Sequence, residues 1–258
     1  MTQLVPSPRR RIEGLIRIYQ FNRRFYRWAG LVLLGGGLAL LSLKTLSVFP
    51  NWVFAGGCFA WILALWWVLG SLLVSHWIYD QSDLYRFGWL QKNIWENKPP
   101  RDATIVHAGY DEVSSLLEKF FPNTKWTALD IHDPKIMPEP SIAMARKRYP
   151  PSGKQVRIAY NDWGNHAASY ILFPLTAHEL RHSDQRIDLF RQAKQTGGKI
   201  VLLEHLRDLP NFVAFGPGFL HFHSRKSWEH DIEKSGLQIE KTFRVTPFLR
   251  CYVLSPDH

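Results

Sequence analysis

The segment from Asn51 to Tyr79 constrains this chain most, because NWVFAGGCFAWILALWWVLGSLLVSHWIY runs 29 residues without an Asp, Glu, Lys or Arg. About 20 apolar residues suffice to cross a hydrocarbon core, and tryptophans near both ends suit the membrane interface. Trp52 to Tyr79 is therefore expected to be a membrane span. Trp28 to Val48 reads as a second span, carrying three consecutive glycines and Lys44. Gly35, Gly36 and Gly37 allow close approach of a partner helix, or merely flexibility, and the stem of Lys44 lets its ammonium reach the far interface.

Two spans joined by a few residues make a retained hairpin, not a cleaved signal peptide with its single short apolar stretch. Ahead of the hairpin stand seven arginines (Arg9, Arg10, Arg11, Arg17, Arg23, Arg24 and Arg27) against one acid, Glu13. Basic flanks stay cytoplasmic, and an even number of spans returns the C-terminal part to that side. The expected location is thus a two-span membrane protein with its soluble domain in the cytoplasm. Ile12 to Trp28 also has the make-up of an amphipathic stretch lying on anionic lipid. The net charge of +10 is accounted for by topology, so no nucleic-acid partner is expected. Cys58 in a span and Cys251 near the C-terminus cannot pair, which suits a reducing compartment.

The chain divides into a basic N-terminal segment (1–27), the hairpin (28–79), a helical connector ending at Pro99-Pro100 (80–100) and an α/β domain (101–258). In the last, ATIVHAG, KWTALDI, QVRIAY, SYILFPLT and GGKIVLLEHL read as strands; DEVSSLLEKFFP, SIAMARKRYP and AHELRHSDQRIDLFRQAKQ between them have helical spacing. This alternation predicts a mostly parallel, Rossmann-like sheet with helices on both faces. SRKSWEHDIEKSGLQ reads as a helix, and IEKTFRVTP with FLRCYVLSP as a closing antiparallel hairpin.

Ligands of such sheets bind outside the carboxyl ends of the strands. Here those ends carry Gly109 and Tyr110, Asp130 to His132, Asn161 to Trp163, Thr176 to Glu179, and Glu204 to Arg207. Asp130 follows Gly109 by 21 residues, a spacing that suits a carboxylate holding ribose hydroxyls. An Asp after a strand is as often only the cap of the next helix.

Taken together, the five strand ends, the acid after the second, the Asn-Asp pair after the third and the terminal hairpin resemble the class I S-adenosylmethionine-dependent methyltransferases over about residues 101–256. The resemblance implies a seven-stranded methyltransferase sheet and S-adenosyl-L-methionine as cofactor. It implies cofactor contacts from Gly109, Tyr110 and Asp111 after the first strand, from Asp130, Ile131 and His132 after the second, from Asp162 and Trp163 after the third, and from Thr176 after the fourth. The glycine-rich turn of that family is matched only at Gly109; Asp111 and Val113 stand at its later glycine positions, and His107 replaces the usual acid before it.

The implied function is a membrane-anchored methyltransferase whose acceptor is lipophilic: a quinone, an isoprenoid or a lipid. His178 or His205 is the expected catalytic base and Glu179 its orienting partner, with no metal in that reading. Two alternatives stay open. One is a membrane-tethered methyltransferase-fold module without catalysis. The other takes His178-Glu179-Leu180-Arg181-His182 as H-E-x-x-H, which on a helix sets two imidazoles on one face for the zinc of a peptidase; the plain alternative for His182 is a solvent-facing helix residue. The insert LPNFVAFGPGFLHFHSRKSW, with Phe212, Phe215, Phe219 and Phe222, reads either as a lid over an apolar substrate or as a loop packed on the sheet or on lipid.

The topology is testable by reporter fusion. A reporter after His258 should be cytoplasmic and one inserted beside Ser47 should lie across the membrane; finding both on one side would show that the first segment does not span.

Overall fold

The computed structural model describes residues 12–46, 49–151 and 155–256; Arg9 to Arg11 and the expected end of the first span at Val48 lie outside them. Helix α1 (Glu13–Phe21) leads into two long apolar helices, α2 (Arg23–Thr45) and α3 (Asn51–His76). Both are long and apolar enough to cross a membrane, and they present exposed apolar side chains such as Val32, Phe59 and Leu73. They pack on each other through Trp61, whose indole N–H donates to the Leu33 carbonyl at 2.7 Å. A Cβ at Gly36 or Gly37 would meet the Trp61 ring at 3.4 to 3.5 Å, whereas Gly35 faces open space. Gly36 and Gly37 thus face the contact, but a Cβ there would make only an ordinary contact with the ring.

The chain leaves α3 through a π turn (Trp77–Gln81) and a 3-10 turn (Leu84–Arg86), then forms α4 (Gly88–Asn93). The expected connector is therefore part of the folded core. Ile78, Leu84, Tyr85, Trp89, Leu90 and Trp95 are buried against the sheet together with Leu117 and Phe121, because so many large apolar groups between residues 78 and 95 leave water together.

From there the elements are β1 (Asp102–His107), α5 (Ser114–Phe120), β2 (Lys125–Asp130), α6 (Pro140–Arg148), β3 (Val156–Arg157), β4 (Tyr170–Pro174), α7 (Ser183–Gln195), β5 (Lys199–His205), α8 (Leu209–Phe215), α9 (Arg225–Lys234), β6 (Leu237–Thr246) and β7 (Leu249–Pro256). One sheet has the order β3-β2-β1-β4-β5-β7-β6. The first five strands pair in parallel, and β7 runs antiparallel to both β5 and β6. Its second face is covered by Leu189 and Phe190 of α7 and Trp228 and Ile232 of α9.

Three local expectations change. The QVRIAY strand shrinks to Val156–Arg157 at the exposed edge of the sheet. The stretch from Ala177 to Gln195 is not one helix: a single 3-10 turn, Ala177–Glu179, ends at Leu180 in an extended conformation, and α7 starts only at Ser183. The aromatic insert folds as α8 and a 3-10 turn and docks on α3. Trp66 Nε1 donates to the Val213 carbonyl at 3.0 Å, and the rings of Trp67 and Phe212 meet at 5.6 Å. It packs as a bracket against α3, where its sequence reads as a lid or as a loop on the sheet or on lipid.

Helix α1 is held at the foot of the hairpin by one carboxylate. The fully buried Asp80 side chain accepts from Gly14 N at 2.6 Å and Leu15 N at 3.0 Å, and its Oδ2 lies 2.8 Å from His76 Nδ1. A carboxylate at a helix N-terminus satisfies donors that no residue within the helix can reach. Position 14 admits only glycine here, since a Cβ would lie 2.6 Å from the Cβ of Tyr79. Asp80→Ala should free α1 by about 1.5 kcal/mol or more, the worth of a charge-assisted hydrogen bond. Hydrogen exchange checks this: amides of α1 should exchange at least about tenfold faster in the variant, while those of β4 and β5 stay unchanged.

Candidate functional site

A cavity of about 230 Å³ opens at the carboxyl ends of β1 and β4. Ile18 and Phe21 of α1, Tyr79, Phe87 and Trp89 give it apolar walls, and polar groups come from the sheet side. Helix α1 is fixed over it by Arg17, which donates to the Tyr110 hydroxyl at 2.6 Å and stacks on Tyr149.

The turn after β1 needs glycine at 109. Its φ is +92°, and a Cβ would lie 2.9 Å from His132 and 3.0 Å from Arg146. Asp111 then starts α5, its Oδ1 accepting from Val113 N at 3.1 Å and Ser114 N at 2.9 Å. Tyr110 and Asp111 both line the cavity. So does His107, the last residue of β1, which is buried with neither ring nitrogen hydrogen-bonded. Burial lowers its pKa, more than offsetting Asp111 and Asp130, and favours the neutral ring.

Asp130 sits at the end of β2 as expected, but its carboxylate is engaged. Arg146 of α6 donates to Oδ2 at 2.7 Å and to the Gly109 carbonyl at 3.1 Å, while Oδ1 accepts from His132 N at 3.1 Å. Neither Asp130, Ile131 nor His132 reaches the cavity. Ile131 and Trp163 belong to the core of the α7 and α9 face. Asp162 is exposed and caps its own turn, accepting from Gly164 N. Neither Asp162 nor Trp163, the residues expected after the third strand, lines the cavity.

After β4 the backbone turns sharply: Leu175 has φ +55°, a conformation that costs energy outside glycine and concentrates at functional sites. The turn brings Thr176, His178 and Glu179 to the cavity. Thr176 pins β4 to β1 by donating to the Val106 carbonyl at 2.9 Å.

His178 is the electrostatic centre. Its Nδ1 lies 2.7 Å from Oε2 of the fully buried Glu204, whose Oε1 accepts from His178 N at 3.2 Å, and its Nε2 lies 3.2 Å from Glu179 Oε1. Burial opposes the charge, but Glu204 and Glu179 outweigh it and raise the pKa to about 10. The two carboxylates thus favour the protonated form of a ring that the sequence suggests as a base. Burial pushes Glu179 up, but His178 more than reverses that and lowers its pKa; its Oε2 has no hydrogen-bond partner. His205 lies off the cavity. It is neutral, pushed down to about 4 by burial, with Nδ1 3.0 Å from Asn211 Oδ1 and its ring stacked on Phe222. His182 is exposed beyond the 3-10 turn, at the N-cap of α7. The two histidines of H-E-x-x-H do not share a helical face, and the peptidase reading fails.

Arg146 and Tyr85, which donates to Glu112, shape this region without any signal in the sequence. Each acts through a partner far along the chain.

No family model matches the chain, and no curated protein matches it in sequence. Among solved structures it is similar to the mitomycin 7-O-methyltransferase MmcR, at 12% identity over 99% of this chain and 76% of that one, with a TM-score of 0.55. The PH0226 protein from Pyrococcus horikoshii OT3 follows at 13% identity, 70% and 93% coverage and TM-score 0.49. The O-methyltransferase NcsB1 from neocarzinostatin biosynthesis, solved with S-adenosylmethionine and 2-hydroxy-5-methyl naphthoic acid, gives 13%, 88% and 70%, and 0.47. The first of these, with the strand order, establishes that the chain has the fold of the class I S-adenosylmethionine-dependent methyltransferases.

The charge on His178 has a consequence for stability. A histidine whose pKa is raised in the folded state adds stability that is complete below the ordinary histidine range and is lost as pH rises from there through about 10. The melting temperature of wild type should exceed that of His178→Gln most near pH 6, and the gap should close by about pH 10; a constant gap would show that His178 is not charged.

Proposed function

We propose that the protein is a membrane-anchored S-adenosylmethionine-dependent methyltransferase acting on a lipophilic acceptor, a quinone, an isoprenoid or a lipid. The observation that carries this reading is the position of the cavity. Phe21 and Asn22, at the foot of α2, and Tyr79, just past α3, all line it, so a molecule dissolved in lipid would reach it between the feet of the hairpin. Exposed Ile16, Tyr19 and Trp28 on this side, with Leu209 and Val213 of α8, suit a domain seated on the bilayer interface. Arg23, Arg24 and Arg27 are exposed at the start of α2, which supports a cytoplasmic domain and two spans.

The residues fit the cofactor at its methionine end. The glycine at 109 and the ring of buried His107, whose nitrogens make no hydrogen bond although Nδ1 lies 3.8 Å from Asp130 Oδ1, make a polar recess in an otherwise apolar cavity. At the ribose end Asp130 would hold the two hydroxyls once Arg146 withdraws. When bound, S-adenosylmethionine supplies an electrophilic methyl group. The chain's own contribution is orientation and charge: the walls of α1 and the connector hold the acceptor and exclude water. The imidazolium of His178 favours the anionic form of an acceptor oxygen. Glu179 Oε2, free of other partners, takes the acceptor's proton.

Arg146 is also the observation that favours the second reading, a methyltransferase-fold module without catalysis, since its guanidinium occupies the carboxylate a cofactor needs. Two substitutions separate the readings. Arg146→Gln should tighten S-adenosylmethionine binding by releasing Asp130. Asp130→Asn should weaken it by about 1.5 to 3 kcal/mol, the worth of hydrogen bonds to a charged group. Calorimetry on the full-length protein would reveal these opposite shifts, and no binding by wild type or Arg146→Gln would favour the module.

A further inference from the structure

We infer that His178, Glu179 and His221 form a binding site for one divalent transition-metal ion. One ligand atom from each lies within 4.8 Å of the others, and all three come from segments at the carboxyl ends of β4 and β5. The spacing is that of an unfilled site. Metal bonds of about 2.0 to 2.2 Å place ligand atoms roughly 3 to 3.5 Å apart, so small side-chain rotations close the set.

Four observations make this more than proximity. First, Glu179 Oε2 is buried in the cluster with no hydrogen-bond partner. Second, Glu204 fixes His178 through Nδ1 at 2.7 Å, which leaves Nε2 as the ligand atom. A carboxylate behind an imidazole is the usual outer support of a metal-bound histidine. Third, the His221 ring stands edge-on to His178 with centroids 5.4 Å apart, and its Nδ1 lies 3.3 Å from Arg181 Nη1 and 3.6 Å from Glu139 Oε1. Fourth, the charges favour a cation: Glu139, Glu179 and Glu204 surround the cluster against one guanidinium, Arg181, which donates to the His221 carbonyl at 2.6 Å.

Two imidazoles and one carboxylate suit zinc, manganese or ferrous iron and leave coordination positions open. His178 and Glu179 line the cavity, so those positions open onto it and take an anionic oxygen ligand. His182, whose spacing in the sequence suggests a zinc ligand, has no part; His221 is the second histidine.

The binding claim stands whether or not the protein transfers methyl groups, and its test uses metal alone. Full-length protein carrying a tag without histidines, solubilised and stripped with chelator, is titrated with Co²⁺ and with Zn²⁺. One equivalent of Co²⁺ should bind with visible absorption bands, and Zn²⁺ should displace it. His221→Ala, on a partly exposed residue, should fold normally and lower affinity by at least about tenfold, as should Glu179→Gln. Glu204→Gln should lower it by roughly 10- to 100-fold through loss of support, and His182→Ala should leave it unchanged. No stoichiometric uptake by wild type, or undiminished uptake by folded His221→Ala, would overturn the assignment.

Discussion

Asp80 ties the apolar hairpin to the carboxyl edge of the sheet. Its buried carboxylate takes up two amides of α1 and faces His76 at the end of α3, so the segment before the hairpin and the segment after it meet at one point. Because α1 is held there, Ile18 and Phe21 form a wall of the cavity; because the chain turns at Trp77–Gln81, Tyr79 and Tyr85 form another. Without that anchor the sheet would still close on its two cores, but the cavity would lose the side that faces the hairpin.

The second constraint is electrostatic. A histidine set between two carboxylates in a buried position favours a positive charge beside it, whether a proton on its ring or, as inferred above, a metal ion bound to it. Either way a positive group stands at the carboxyl end of β4 between Glu179 and Glu204, next to a carboxylate oxygen with no hydrogen-bond partner. The strained Leu175 and the short turn that follows deliver that charge to the cavity. Had α7 begun directly after β4, His178 and Glu179 would have been carried along a helix away from it.

The sequence made the architecture legible because burial and periodicity are local properties. The apolar runs at β1, β4 and β5, the terminal hairpin and the two long apolar helices all follow from side chains a few residues apart. Asp130, Thr176, His178 and Glu179 stand at strand ends as expected, and Glu204 too, where it supports His178. What remained hidden depends on partners distant in the chain. Nothing in ARKR marks Arg146 as the partner of Asp130, and nothing in YDQSDLYRF marks residues 79–87 as a wall of the cavity. His178 looks like a base until Glu204, 26 residues on, is brought against it. H-E-x-x-H misleads for the same reason, since the pattern presumes a helix that the extended Leu180 interrupts.

The central claim, methyl transfer to a lipophilic acceptor, is tested most directly by reconstituting the full chain into vesicles of total membrane lipid extract and adding S-adenosylmethionine labelled in the methyl group. Label should pass into the organic phase only when the protein is present, and the transfer should fall sharply with Glu179→Gln. Saturable binding of S-adenosylmethionine with no label in the organic phase, or label found only in water-soluble products, would contradict the account.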